Sequence, residues 1–556
     1  MVKKTHVFRL LLIIVASTAL LMTACSNKSG KGEATEEKIT NDTPIHLSTQ
    51  VPISTLDPRL IADRSSMEHL NQTNEGLYAY NAEGQLTPAA AADFPKINKE
   101  RTIYTIPIRK NGIWSNGDPV TAHDFEYSWK SAISPNSGSQ LTYMFDGLLK
   151  NANAILKNEA KPESLGVKAL DDYTLQVTLE RPVAYFPRLL PYTIFYPINE
   201  KYANKQGDKF GTDAEHILFN GPYIIKDWKQ SANSWRYEQN KDYWNKDSVK
   251  TANFTFDVVP DSNTGANLFE AKKLDYVELS SDFAKQYKDN KDFVAFPGDT
   301  TKFIRFNQKH DVNTSHLDNT DLRLALSLAI DRDMLVNKVL DNGSTVTKGL
   351  VPAGFVSNPV TKKDYRKQAP DVVFSNNEAA QEHFTKAKKA LAKQTFSIEL
   401  LVDDSDNSKV VSEFVKEQWE KKLPGVNVEI KRVPAKLRQE LDGKGDYQAQ
   451  LTGWSPNYQD PLTYLEIFKS SYPGESMGYK NEKFDQLIND VETKLYDNET
   501  ERWKTMVEAE KVAIEESAAV APLFVNSVTV LKNPELQDYK LHPYTLLALR
   551  YMYLGK

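Results

Sequence analysis

The chain has 556 residues, 40% hydrophobic and 10% aromatic, with a formal charge of −5 and a single cysteine. More than 500 residues exceed one hydrophobic core and call for two or three domains, which this composition can fill. The mild acidity gives no footprint for nucleic acid and no polybasic membrane patch, and one thiol excludes an intrachain disulfide.

The first element is an export signal. Lys3, Lys4 and Arg9 precede an apolar run from Leu10 to Met22, broken only by Ser17 and Thr18. A basic n-region, a short apolar h-region and a small residue before the cut define a signal peptide, and the run is too short for a comfortable span. The string Leu21-Met22-Thr23-Ala24-Cys25 resembles the lipobox of bacterial lipoproteins, with Met22 where leucine is commonest. That resemblance implies residues 1–24 as a signal peptide and Cys25 as the lipid attachment point. Residues 25–43 then form a tether: Ser26 to Thr43 holds one apolar β-branched residue, Ile39, and no aromatic, too little to fold. Taking the three positive charges Lys3, Lys4 and Arg9 from the formal −5 leaves −8. No later segment has 18 consecutive apolar residues, so nothing else is expected to span.

Thr102 to Arg109 alternates, with Tyr104, Ile106 and Ile108 on one face of a half-buried strand. Pro107 predicts an edge or a bulge there. After the turn Lys110-Asn111-Gly112, Ile113-Trp114 is expected to resume the strand. Thr121 to Asp124 reads as a capping box that opens a helix carrying Phe125 and Trp129. Asp172 to Glu180 alternates through Leu175, Val177 and Leu179. Residues from about 80 to 200 thus form a small α+β unit. Farther on, Asp321 to Leu340 is expected as one helix with Leu324, Leu328, Leu335 and Val339 on its apolar face. Phe396 to Val402 is a strand. Asn407 to Lys422 is a helix with Val410, Val411, Phe414, Val415 and Trp419 inward, and Val426 to Val433 is the next strand. Strand, helix and strand with short joints predict a parallel pair. Large two-lobed chains of this kind bind ligands between lobes.

Several strings resemble the extracellular solute-binding proteins of the oligopeptide and dipeptide importer family. Trp114-Ser115-Asn116-Gly117-Asp118-Pro119 through Phe125 carries the family signature. Leu56-Asp57-Pro58, Glu75-Gly76-Leu77, Asn220-Gly221-Pro222-Tyr223, Tyr243-Trp244, Leu324 to Arg332, Gly349-Leu350-Val351-Pro352, Ala387 to Leu391 and Gly453-Trp454 follow in family order. The resemblance runs from about 45 to 550. It is strongest to the oligopeptide-binding lipoproteins of Gram-positive bacteria.

The resemblance implies an α/β, bilobed, periplasmic-binding-protein-like fold of type II, cluster C, with an extra α+β insertion domain. One lobe would hold 44–80 with 200–305 and 516–556, the insertion domain 81–199, and the second lobe 306–515. It further implies a monomer, lipid-anchored on the extracellular face of the cell membrane. Hinge closure would capture an oligopeptide for ABC transporter permease subunits. No cofactor and no metal are expected. The nine histidines are scattered, and neither an HExxH nor a GxSxG string occurs. A peptide pheromone receptor, or a carrier of a nickel complex or an oligosaccharide, are the family's other implied roles.

In this family, segments matching Val51, Pro52 and Ile53 and the stretch from Gly453 to Asn457 sandwich the peptide backbone. Trp454 would line a side-chain pocket or sit in the core. Ser455, Tyr458 and Asp460 complete the implied set. Many relatives carry aspartate where this chain has Asn457, and that aspartate pairs with the ligand ammonium. Three readings follow. Asp460 or another acid takes over the charge, or the ligand lacks a free amine there or binds in another register, or affinity is lower.

Overall fold

The computed structural model describes residues 43–309, 315–472, 474–539, 541–542 and 546–555. Cys25 and its tether, apart from Thr43, lie outside them. The centre of the molecule is one long mixed sheet. Its strands are β1 (Ile45–Thr49), β2 (Tyr223–Lys226), β3 (Ser234–Gln239), β4 (Asn253–Val258), β5 (Tyr276–Leu279), β6 (Phe293–Phe306), β7 (Phe396–Asp403), β8 (Val426–Val433), β9 (Ala449–Trp454) and β10 (Val520–Lys532). They lie in the order β8-β7-β9-β6-β10-β5-β1-β4-β3-β2, and a two-residue strand at Thr345–Val346 joins β10.

β6 and β10 are long because they run from one half of the sheet into the other. Phe293 to Pro297 pairs with Leu531 to Ser527, then the register shifts, and Thr301 to Arg305 pairs with Val525 to Val520. On one side of the shift β10 also holds β5, and on the other β6 also holds β9. At the shift lies Gly298, where an added Cβ would stand 2.3 Å from the Asn526 carbonyl oxygen. The Thr300 N–H donates to Asn526 Oδ1 at 3.2 Å.

Three large cores surround this sheet. Ile45, Leu47, Tyr223, Tyr237, Phe254 and Met552 fill one. Ile304, Leu326, Phe384, Ile398, Val415 and Trp419 fill the second. The third joins Tyr104, Ile106, Trp114, Trp129 and Phe186 to Leu350, Tyr458, Leu462 and Trp503. The stretch around residues 77–195 therefore packs directly against the body formed by residues 350–520.

The predicted parallel pair is present: β7 and β8 run in register from Phe396↔Val426 to Asp403↔Val433, joined by helix Asp406–Lys422. Val411, Phe414, Val415 and Trp419 are buried, but Val410 is exposed, because it lies one position off the inward stripe. The expected helix 321–340 is broken. It runs Thr320–Leu328, stops, and restarts at Arg332. Its buried stripe is Leu322, Ala325, Leu326 and Ala329, while Leu324 and Leu328 are half-buried. The break has a cause. The Arg332 guanidinium donates to the carbonyls of Ser327 (3.0 Å), Ile330 (3.1 Å), Phe374 (2.9 Å) and Pro522 (2.6 Å), taking groups that end helices normally leave unpaired.

In the smaller sheet, strand Ile103–Pro107 is interior, flanked by Lys96–Ile97 and Thr174–Thr178. Pro107 is tolerated because it is the last residue, beyond the reach of the two-residue neighbour. Ile113-Trp114 does not resume this strand. Ile113 makes one isolated bridge with Pro119, and Trp114 turns into the core. The capping box forms: the Thr121 N–H donates to Asp124 Oδ2 at 2.7 Å, and Trp114 Nε1 donates to the same oxygen at 3.2 Å. The signature string from Trp114 to Phe125 is thus a turn-and-cap device. Burial raises the Asp124 carboxyl to about 6 against these hydrogen bonds.

Candidate functional site

A cavity of about 280 Å³ opens between the two halves of the sheet. Helix Arg64–Thr73 supplies Arg64, Met67 and Asn71 to its wall, and Glu75, Tyr80, Tyr192, Tyr196 and Arg550 continue it. Asp299, from the β6 register shift, and Ser455, Pro456 and Asn457, after β9, form the other side. Helix Arg64–Thr73 is fixed at its start by Asp63, whose carboxylate accepts from the Ser66 N–H at 2.8 Å.

Three strings far apart in sequence meet behind this wall. Glu75 accepts from the Tyr243 hydroxyl, from Trp244 Nε1 at 2.8 Å and from Arg550 Nη1 at 3.1 Å. Asn220 holds the Glu75 backbone through its own amide, at 2.9 and 3.0 Å. The Arg109 guanidinium lies 3.5 Å from the Trp244 ring centre. Burial lowers Arg550, but Tyr243 and Glu75 outweigh it and the guanidinium stays charged. This network is a rigid polar plate under the cavity.

The implied site residues divide. Ser455 and Asn457 line the cavity, and the Asn457 N–H is anchored to Thr463 Oγ1 at 3.1 Å. Val51 and Pro52 are exposed and Ile53 is buried in a core, and none of the three is among the residues lining this cavity. Gly453 and Trp454 end β9, paired with Lys302 and Thr301 of β6. Trp454 is half-buried against a core, off the wall. Tyr458 is buried, its ring stacked on Tyr185 at 4.1 Å.

Asp460, one of the acids expected to take over the charge at position 457, does not line this cavity. It is fully buried and off the wall, gripped by Arg502 at 2.8 and 2.9 Å and by Arg188 at 2.7 Å. Burial alone would raise this carboxyl, but Arg502 and then Arg188 hold it below the usual range. It is an internal ion-pair centre.

Sequence reasoning missed Asp299 and Arg550 altogether. Arg550 meets Glu75 across a separation of 475 residues, and no local pattern announces that pairing. Asp299 had one available signal, since Pro297-Gly298 marks a break in a long apolar-alternating strand.

Two features suit an extended ligand. β9 pairs with β7 only at Ala449 and Gln450, so its remainder has a strand neighbour on one side alone. Tyrosine rings and Met67 and Leu547 provide apolar wall between the charged groups. Among the described residues, no group of three or more His, Cys, Asp or Glu side chains is placed to hold a metal, and no helix is long and apolar enough to cross a membrane.

The chain is similar to known proteins in sequence and in overall structure. An oligopeptide-binding protein, OppA, of Bacillus subtilis is 30% identical over 554 residues, covering 97% of each chain. A dipeptide-binding protein of Lactococcus lactis is 28% identical over 539 residues, covering 95% of this chain and 96% of the relative. The structure of Listeria monocytogenes OppA bound to peptide matches with a TM-score of 0.75 at 37% identity, over 93% of this chain and all (100%) of that one. These likenesses establish the bilobed α/β fold of type II. The model of the bacterial extracellular solute-binding proteins, family 5, matches residues 85–476, and the chain belongs to that family.

Proposed function

We propose that this protein captures oligopeptides between two lobes and hands them to the permease subunits of an ABC importer, held to the extracellular face of the cell membrane by lipid on Cys25. The carrying observation is the cavity, walled on one side by Ser455 to Asn457 at the end of a strand with an open edge. An extended peptide pairs its backbone along such an edge, while roomy pockets leave its sequence free. The names of the Bacillus and Listeria relatives support the same ligand class. We place the lobes at 44–80 with 200–305 and 516–556, and at 306–515, with 81–199 as an insertion domain. The register shift in β6 and β10 supports a hinge nearer 299 and 526 than those limits. The protein acts as a binding component and a monomer, while separate subunits hydrolyse ATP.

Calorimetry on the full-length chain in detergent, unfolded and refolded to remove bound peptide, tests this with a peptide panel. Saturable binding of several peptides is expected. Binding of a nickel complex or an oligosaccharide, with no peptide bound, would sink the proposal. A second reading, a receptor for a peptide signal, is favoured by the likeness to the pheromone receptor PrgZ, with a TM-score of 0.75 at 32% identity. Tight binding of one peptide and neglect of the rest would select it.

A further inference from the structure

We infer that the cavity contains a selective subsite for one ligand side chain with an aromatic stem and an uncharged hydrogen-bonding tip, tyrosine above all, and that Thr193 reads the tip. This rests on the peptide-capture reading above, and makes one pocket an exception to the tolerance of the others.

Thr193 opens the turn Thr193–Phe195 and lines the cavity. It is only 2% exposed, and its hydroxyl oxygen has no hydrogen-bond partner. Among the described residues, it is the one buried side-chain nitrogen or oxygen without a partner whose residue belongs to the cavity wall. A buried polar atom left unpaired is costly, so a ligand group that pairs with it gains on binding. A hydroxyl both donates and accepts, which suits a phenol.

Asn71 stands beside it. Helix Arg64–Thr73 packs on the same turn and brings Asn71, half-buried, to the wall. The Tyr196 N–H donates to the Thr193 carbonyl at 3.0 Å, and the Tyr196 hydroxyl donates to Asn71 Oδ1. The Asn71 amide is thereby oriented, with Nδ2 as its donor end.

The surroundings set the rest of the side chain. Met67, Tyr196 and Leu547 give apolar wall suited to a ring. Charge is balanced or distant at this end. Glu75 has both oxygens engaged, and Arg550 neutralises it at 3.1 Å. Asp299 belongs to the opposite side, with Ser455. Arg64 lies at the start of its helix, about 10 Å along the axis from Asn71. A charged side chain beside Thr193 loses water without meeting an opposite charge, whereas a phenol keeps its hydrogen bond.

The test is calorimetry on the refolded full-length chain in detergent. The ligands are alanine tripeptides carrying tyrosine, or phenylalanine in its place, at each position in turn. At one position the wild type should prefer tyrosine by about tenfold or more, because a site that pairs with a hydroxyl discriminates against the analogue lacking it. Thr193→Val keeps the shape and removes the hydroxyl. It should bring that ratio close to one while binding the phenylalanine twin at least as tightly as the wild type, which also shows that its cavity is intact. Thr193→Ser keeps the hydroxyl and should retain the preference. Equal binding of the twins by the wild type at all three positions, a preference that survives Thr193→Val, or one that is lost in Thr193→Ser would overturn the assignment and leave peptide capture standing. A wild type that binds none of these peptides and none of the wider panel would overturn both.

Discussion

Asp460 and Glu466 lie six residues apart and answer burial in opposite directions. Asp460 has two arginines, so its carboxyl is lowered despite full burial. Glu466 is raised to about 8 by burial, with Tyr458 opposing and Glu492 adding to the rise. The signs of their pH effects therefore differ. Asp460 contributes stability that is present above the ordinary carboxylate value near 4 and lost as pH falls below it. Glu466 contributes stability that is complete below about 4.5 and lost as pH rises through about 8. Asp460→Asn should cost about 3–5 kcal/mol at neutral pH, because it strands Arg502, itself 1% exposed, without its partner. Urea denaturation measures this, and a loss under about 1 kcal/mol would contradict it. Glu466→Gln should be more stable than the wild type at pH 8, by about 1 kcal/mol or more, with the gap closing toward pH 5. Equal melting curves at pH 8 would remove Glu466 as a titrating group.

At the level of elements, the β6–β10 crossover is the least replaceable joint. Both strands change register there, and Gly298 faces the Asn526 backbone with no room for a methyl group. Gly298→Ala should force the strands apart, costing about 1–3 kcal/mol as other overpacked sites do. Unchanged stability and unchanged peptide affinity would show that the joint yields freely. This joint was also the hardest element to read from sequence. Strands with clean alternation, such as Phe396–Asp403 and Thr174–Thr178, were legible because their buried residues recur every second position. The Thr121–Asp124 cap was legible because its chemistry is local. The break after Leu328 was not, because the carbonyls that Arg332 takes include Pro522, 190 residues away. The site followed the same rule. Ser455 and Asn457 came from a local string, whereas Asp299 and Arg550 reach the wall only through sheet order and long-range pairing.

Across the whole molecule, the segment 181–188 grips the opposite body at three points. Arg188 reaches Asp460 at 2.7 Å, Arg181 reaches Glu492 at 3.9 Å, and the Tyr185 ring stacks on Tyr458. These contacts join the stretch around 77–195 to residues near 460–492, across which the proposed lobe closure would act. Arg188→Ala removes one grip yet leaves Asp460 bonded twice to Arg502, so its effect on folding should be small, about 1 kcal/mol. Its effect on closure should be larger. A ligand that binds the closed form must first draw on that population, and a smaller population weakens every ligand by the same factor. Arg188→Ala should therefore raise Kd for unrelated peptides by one common ratio, and enlarge the radius of gyration of the unliganded protein, with both variants alike when saturated. Small-angle scattering and calorimetry together measure this. Ratios that differ from peptide to peptide would instead make Arg188 a reader of sequence, and an unchanged radius would mean the closed form does not depend on this grip.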